Sequence, residues 1–538
     1  METESSNPKR MWHAINTVLG RTDRPVQSKS TALEFAKFFK EKVEKFRSDT
    51  ANAATPHFQE SFPRDNWWVA EWAWTCDGRG SGKTNRFRTQ QAIVNRSIAK
   101  YLKKVSGDVA CLLAHIFNRS FENGYVPSKF KNAVVTQLLK KAGLDVDDPI
   151  NFRLADIKIR QCLVWSCLDV HLNRIGTIPS VQSTYRRNHS TETVLAKVSS
   201  DIIMAADRGD VSLLALLDLN LSAAFDTVDH GILLKRLHTS HHINGLALDW
   251  FRSYLTARRE SILYSGDTTS AALVLYTSDV PRVINECVLL SVVYADDTQI
   301  YSQVKQRDIP VAKVRVEDCI TKVKQWFASN RILLNPSKTE AMWCTSSRRR
   351  SSFDQPSLVI DQVDIKPSLS VRDLGVQLRA ELSVADLVSA VIRSGYYNIR
   401  QLRQLQALRH AAYALMLSRI DYCNSLLANA PAASTKRLQS LINMAARVRP
   451  LQIQSHNGFH KGLPALAAIQ QRVDFKICSI VYKAQHDLSP IYIMEMMKPT
   501  SIIPRHQDLR SASHSELIIP KHRTKFAEHA FIISGLMA

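Results

Sequence analysis

The run Val292-Val293-Tyr294-Ala295-Asp296-Asp297-Thr298-Gln299-Ile300-Tyr301 reads as two short β-branched and aromatic strands meeting at adjacent carboxylates. Apolar residues on both sides bury the strand bodies and push the turn to the rim of a sheet. An exposed hairpin turn favours Asn-Gly or Asp-Gly, so Tyr294-Ala295-Asp296-Asp297 is poor turn chemistry. Two ionised Asp side chains repel, and their pKa values are driven apart unless a cation sits between them. A hard divalent ion, Mg²⁺ first, takes carboxylate oxygen and keeps its other positions for water and phosphate. The plain alternative is an acidic surface turn; the buried flanks favour a metal site.

Composition narrows the partner. With 538 residues the chain can build roughly two to four cored domains. Its 71 Lys+Arg against 49 Asp+Glu give a net charge of +22 and a pI near 9.6. Such an excess repels itself unless a polyanion answers it, and nucleic acid is the first candidate. An anionic membrane is the second, yet no apolar run approaches the roughly 18 residues of a spanning helix. Nor does the start, Met1-Glu-Thr-Glu-Ser-Ser-Asn-Pro-Lys-Arg, carry the apolar core of a secretory signal. Nine scattered cysteines without a Cys-x-x-Cys pair suggest neither zinc nor a disulfide framework. They fit a reducing, intracellular setting, with nucleus and cytoplasm both open.

YADDTQIY resembles the metal-binding hairpin of reverse transcriptases, in particular those of non-LTR (LINE-type) retrotransposons. Further matches in the same order extend the resemblance over roughly residues 125 to 530, and more weakly over 10 to 50. It implies an α+β right-hand polymerase fold: fingers, a palm with an antiparallel sheet, a helical thumb and a helical C-terminal region. It also implies two Mg²⁺ ions, an RNA template and a DNA primer. The endonuclease that precedes the polymerase in that family is expected to be absent. The expected divisions are a helical leader over 1–60 and a poorly matching basic linker over 61–124. Fingers and palm follow over 125–378, a thumb-like helical region over 379–460 and a basic module over 461–538.

Individual segments carry the match. Thr31-Ala-Leu-Glu34 has capping-box spacing, with Phe35, Phe39, Val43 and Phe46 on one helical stripe. Gly78-Arg-Gly-Ser-Gly-Lys83-Thr84 tempts a phosphate-loop reading, but Asp77 stands where that pattern needs glycine. A basic linker with Arg79, Lys83, Arg86 and Arg88 is the better reading. VPSKFKNAVVTQLLKKAGLDVDDPINFR resembles the fingers strand and its loop, which implies triphosphate contacts from Lys140, Lys141 and Arg153. A Lys pair beside a strand reads equally as a solvated edge. Gln182-Ser-Thr-Tyr185-Arg186-Arg187-Asn-His189 resembles a further fingers segment, with Arg186 and Arg187 as nucleotide-binding candidates. Ser190 or Thr191 then caps a helix whose core face is Val194, Leu195, Val198 and Ile202. Val316 to Ala328 reads as another helix, with Val316, Ile320, Val323 and Trp326–Phe327 inward. The motif at Asn335-Pro-Ser-Lys338 implies that Lys338 protonates the leaving pyrophosphate; a bare strand-edge Lys is the alternative. Arg348-Arg349-Arg350 is a solvated turn or a backbone contact. Val371-Arg-Asp-Leu-Gly-Val resembles the closing strand of the palm. Ser434 is expected to cap a helix with Leu438, Leu441, Ile442 and Ala445 inward.

Two departures stand out. The family places an Asp five residues before the aromatic of Ala-Ala-Phe-Asp, where it ligates both metals and the aromatic gates the ribose 2′-hydroxyl. Phe225 takes the gate position, but five residues back stands Asn220; the nearest carboxylate is Asp218. Two residues along a continuing strand move a group about 6.6 Å, and paired metals sit only about 3.5–4 Å apart. Asp218 is therefore expected to join Asp296 and Asp297 only if the extra residues are extruded. The second departure is the missing Gly-x-Pro-Gln-Gly loop, as though a segment were excised between Leu275 and Tyr276. Both imply a reverse transcriptase in ancestry and fold with activity reduced or abolished; the alternatives are a non-catalytic nucleic-acid-binding protein and a retroelement relic.

Overall fold

The computed structural model describes residues 32–58, 115–116, 118–128, 131–139, 145, 148, 152–156, 168–169, 171–218, 228–256, 259–262, 275–295, 297–332, 334, 338–402, 416–448, 468–500 and 517–537. Helix α1 (Ala32–Asp49) lies within the segment expected to be helical; Thr31 and the side chains of its apolar stripe lie outside the described residues. Strand β1 (Asn132–Leu139) pairs antiparallel with β2 (Phe152–Asp156).

Helix α2 (Thr191–Arg208) starts at Ser190, whose hydroxyl accepts from Thr193 N at 3.2 Å, while Ser190 N donates to Thr193 Oγ1 at 3.1 Å. This reciprocal box satisfies donors that a helix start leaves unpaired. The helix stops at Gly209, whose φ of 90° suits a residue without Cβ. Strand β3 (Val211–Asp218) follows at once. Helices α3 (His230–Thr239) and α4 (Gly245–Leu255) flank the expected Asn244-Gly245 turn, and β4 (Arg259–Ile262) joins β1 in parallel. Helix α5 (Val280–Asn285) is only six residues long. Leu275 and Tyr276, just before it, are both buried, and Tyr276 donates to Asn330 O at 2.6 Å.

The hairpin of the opening stretch is β5 (Leu290–Tyr294) and β6 (Asp297–Val304). Helix α6 (Ile309–Ser329) begins earlier than expected because Asp308 and Pro310 form a legitimate start. Its Val316, Ile320, Val323 and Phe327 are fully buried, and Trp326 only partly. Strand β7 (Glu340–Cys344) completes a four-stranded antiparallel sheet in the order β5-β6-β3-β7. Side chains alternate across it. Leu213, Ala215, Leu217 and Ile300 face α6, while Leu214, Val292, Tyr301 and Met342 face α2. Covering both faces explains why β3 is an almost unbroken apolar run.

Two small hairpins follow, β8 (Leu358–Ile360) with β9 (Val363–Ile365) and β10 (Ser370–Asp373) with β11 (Val376–Arg379). Leu374 and Gly375 close the second with φ of 44° and 83°, a turn in which glycine meets a steric need. Helix α7 (Ala385–Leu402) crosses α8 (Ala432–Val448) so closely at Gly395 that a Cβ there would press into Leu441. Ser434 is not the cap of α8. The helix begins at Ala432, and Pro431 O already accepts from Ser434 N at 2.8 Å, because proline ends the preceding chain. Leu438, Leu441, Ile442 and Ala445 are buried as expected. Helices α9 (Ile469–Gln485), α10 (Ile491–Met494) and α11 (Phe531–Met537) pack into the core shared with α2.

Polar contacts tie this C-terminal part down. Asp207 accepts from Arg523 N, Thr524 N and Thr524 Oγ1, at 2.6 to 2.9 Å. Asp421 takes a two-pronged bond from Arg472, and Tyr422 donates to Leu374 O at 2.6 Å. Arg349 and Arg350 are spent inside the protein, on Gly209 O and Glu381. Helices and antiparallel sheet together make an α+β architecture. Among the described residues no helix is long and apolar enough to cross a membrane.

Candidate active site

Tyr294 and Asp297 pair across the hairpin, which leaves a two-residue turn at 295–296 with Ala295 at φ 60°. Asp297 also pairs directly with Asp218, the last residue of β3. Directly opposed residues share a face of the sheet, with Cα atoms about 4.5–5.5 Å apart. Asp218 and Asp297 thus hold equivalent positions on the α2 face, at one rim of the sheet.

Leu219 and Asn220, which follow Asp218, lie outside the described residues. Asp218, the last described residue of β3, keeps register with the hairpin. Lys338 is exposed two residues before β7, at the same rim, since Glu340 opposes Leu216.

The α2 face of β6 is anchored at every second residue beyond Asp297. Gln299 Nε2 donates to Asp373 Oδ1 of β10 at 2.6 Å. Tyr301 donates to Asp201 of α2 at 2.6 Å, and burial followed by the Asp201 charge raises its phenol well above the usual range. Gln303 Nε2 donates to Asp201 O at 3.0 Å. Lys197 neutralises Asp201 across a 2.9 Å ion pair. On the β5 side, residues 181–183 form a short parallel ladder with Val293. This ladder brings Tyr185 beside the hairpin; burial first, and Tyr185 second, raise the Tyr294 phenol. Tyr185 is itself exposed, at φ 57°.

Other sequence-derived candidates separate. Asp296, Asn220, Phe225, Lys140 and Lys141 lie outside the described residues. Arg153 sits in β2 opposite Leu138, on the other sheet. Arg186 donates to Pro179 O and Gln182 O, so it braces its own loop, while Arg187 is exposed. His189 Nδ1 lies 2.8 Å from Arg187 O, a turn contact. Sequence reasoning missed Asp373 and Gln299. The available signal was an Asp at the same inward register as Val371 in a short strand.

Residues 139–378 match the family model described as reverse transcriptase (RNA-dependent DNA polymerase). The two strands that bring Asp218 and Asp297 together, and the Lys338 rim, all fall inside the stretch that resembles a reverse-transcriptase domain. The chain matches no curated protein.

Proposed function

We propose that the chain is an RNA-directed DNA polymerase of non-LTR retrotransposon origin, extending a DNA primer on an RNA template. The observation that carries this reading is the direct cross-strand pairing of Asp218 with Asp297 inside the matched domain. Two carboxylates at one register position, next to the turn that holds Asp296, form a hard-oxygen donor set suited to Mg²⁺. Divalent ions held by Asp218, Asp296 and Asp297 would stabilise the attacking and leaving oxygens of an in-line phosphoryl transfer. Lys338 would give a proton to the departing pyrophosphate. Phe225 would exclude the ribose 2′-hydroxyl, and Lys140, Lys141, Arg153 and Arg187 would steady the triphosphate.

Asn220 is then a bystander, and the main deficit is the absent Gly-x-Pro-Gln-Gly loop, whose glycines let backbone approach the template closely. Its loss lowers the rate without removing the carboxylates. The net charge of +22 favours a second reading, in which the same scaffold only binds nucleic acid inside the cell. Primer extension on an RNA template with Mg²⁺ separates the two. Slow incorporation that vanishes in Asp297→Asn is the expected result; salt-sensitive RNA binding with no incorporation sinks the polymerase reading.

A further inference from the structure

Beneath the Asp218–Asp297 pair lies a further carboxylate that no step of the reaction uses. Asp373, the last residue of β10, is 3% exposed, and its partner Gln299 is 1% exposed. One hydrogen bond joins them, Gln299 Nε2 to Asp373 Oδ1 at 2.6 Å. The two remaining oxygens, Asp373 Oδ2 and Gln299 Oε1, are buried and lack any hydrogen-bond partner. Leaving a buried acceptor unsatisfied carries its full desolvation penalty. The two orphans belong to the same bonded pair, so a single proton removes both. With the proton on Oδ2, Asp373 donates to Gln299 Oε1 and the pair closes into a ring of two hydrogen bonds.

We propose that Asp373 is a positioning residue for the carboxylate site, held as a neutral acid in a two-bond ring with Gln299. The ring ties β10 to the strand that carries Asp297, one same-face step from that carboxylate, about 6.6 Å along β6. It also spares Asp297 a further negative charge in a low-dielectric setting. Burial, with the Asp297 charge adding to it and the Gln299 bond opposing, raises Asp373 to about 7, in keeping with a retained proton. The competing arrangement, an ionised Asp373 serving as a metal ligand, makes opposite predictions.

The inference rests on the metal reading of Asp297, and the experiment separates the two. Full-length wild type, Asp373→Asn, Asp373→Leu, Gln299→Leu and the double Leu variant are compared by thermal unfolding, and by Mn²⁺ binding followed by electron paramagnetic resonance. Asparagine can make both ring bonds, so Asp373→Asn is expected within about 1 °C of wild type in Tm and about twofold in Mn²⁺ affinity. Each single Leu variant is expected to lose about 2–4 °C, and the double variant less than the two losses combined. Asp373→Leu is also expected to weaken Mn²⁺ binding severalfold.

Additive Tm losses, or an asparagine variant as unstable as the leucine one, overturn the ring. An Asp373→Asn variant that loses Mn²⁺ as completely as Asp297→Asn makes Asp373 a ligand and overturns the proposal. Unchanged Mn²⁺ affinity in Asp373→Leu leaves only a structural role and also overturns it. A wild type that binds no Mn²⁺ removes the underlying metal reading, while the Tm series still decides whether the ring exists.

Discussion

Asp218 illustrates how one residue's role depends on cross-strand register. By spacing it is two positions too early; by register it opposes Asp297. Asp218→Asn is therefore expected to reduce primer extension to background, whereas Asn220→Asp changes the rate less than about threefold. A tenfold or greater gain from Asn220→Asp would show that position 220 is the ligand seat after all. For Lys338, exposed at the same rim, substitution by Ala is expected to slow incorporation about 10²–10⁴-fold, the usual range for a general acid. Asp373 gives a pH signature. Its acid is raised from an ordinary value near 4 to about 7 by burial first, so the folded state keeps a proton that the unfolded chain releases. Its contribution to stability is full below about pH 4 and is lost as pH rises through about 7. Urea midpoints between pH 5 and pH 8 should therefore fall more in wild type than in Asp373→Asn; equal slopes would refute the assignment.

Elements differ in how much of them sequence discloses. Helix α2 was legible from a cap signal and a 3.6-residue apolar stripe, and both are present as read. Removing that cap with Ser190→Ala is expected to lower stability by about 1 kcal/mol, measurable as a lower urea midpoint; an unchanged midpoint would mean the box is redundant. The β5–β6 hairpin and the inner face of α6 were equally legible, since both are periodic over many residues. The start of α8 was not, because Ser434 and Pro431 compete as boundary signals three residues apart. The Gln299–Asp373 contact spans 74 positions, and periodicity carries no information about such a pair. Family resemblance supplied the candidate residues, and only the register showed which of them meet.

At the scale of the whole molecule, the C-terminal helices are part of the core that supports the site. Ile469, Val473, Ile477, Ile480, Phe531 and Ile533 are all buried. Together they represent about 9–18 kcal/mol of burial, as large as the net stability of about 5–15 kcal/mol typical of a folded protein. A chain ending at Ala468 is therefore expected to lose cooperative thermal unfolding; a sharp transition in it would show that the preceding part folds alone. The charge of +22 acts at the same scale. RNA affinity followed by fluorescence anisotropy is expected to fall with salt, with a log–log slope of about −0.7 per phosphate neutralised; a flat response would remove the electrostatic footprint. Neither experiment touches the claim that a divalent ion sits between β3 and β6. Fe²⁺ substituted for Mg²⁺, with ascorbate and peroxide, cleaves backbone next to the ion it replaces. The account predicts cuts clustered around residues 218 and 296–297 that excess Mg²⁺ suppresses. Cuts elsewhere, or none, would contradict it.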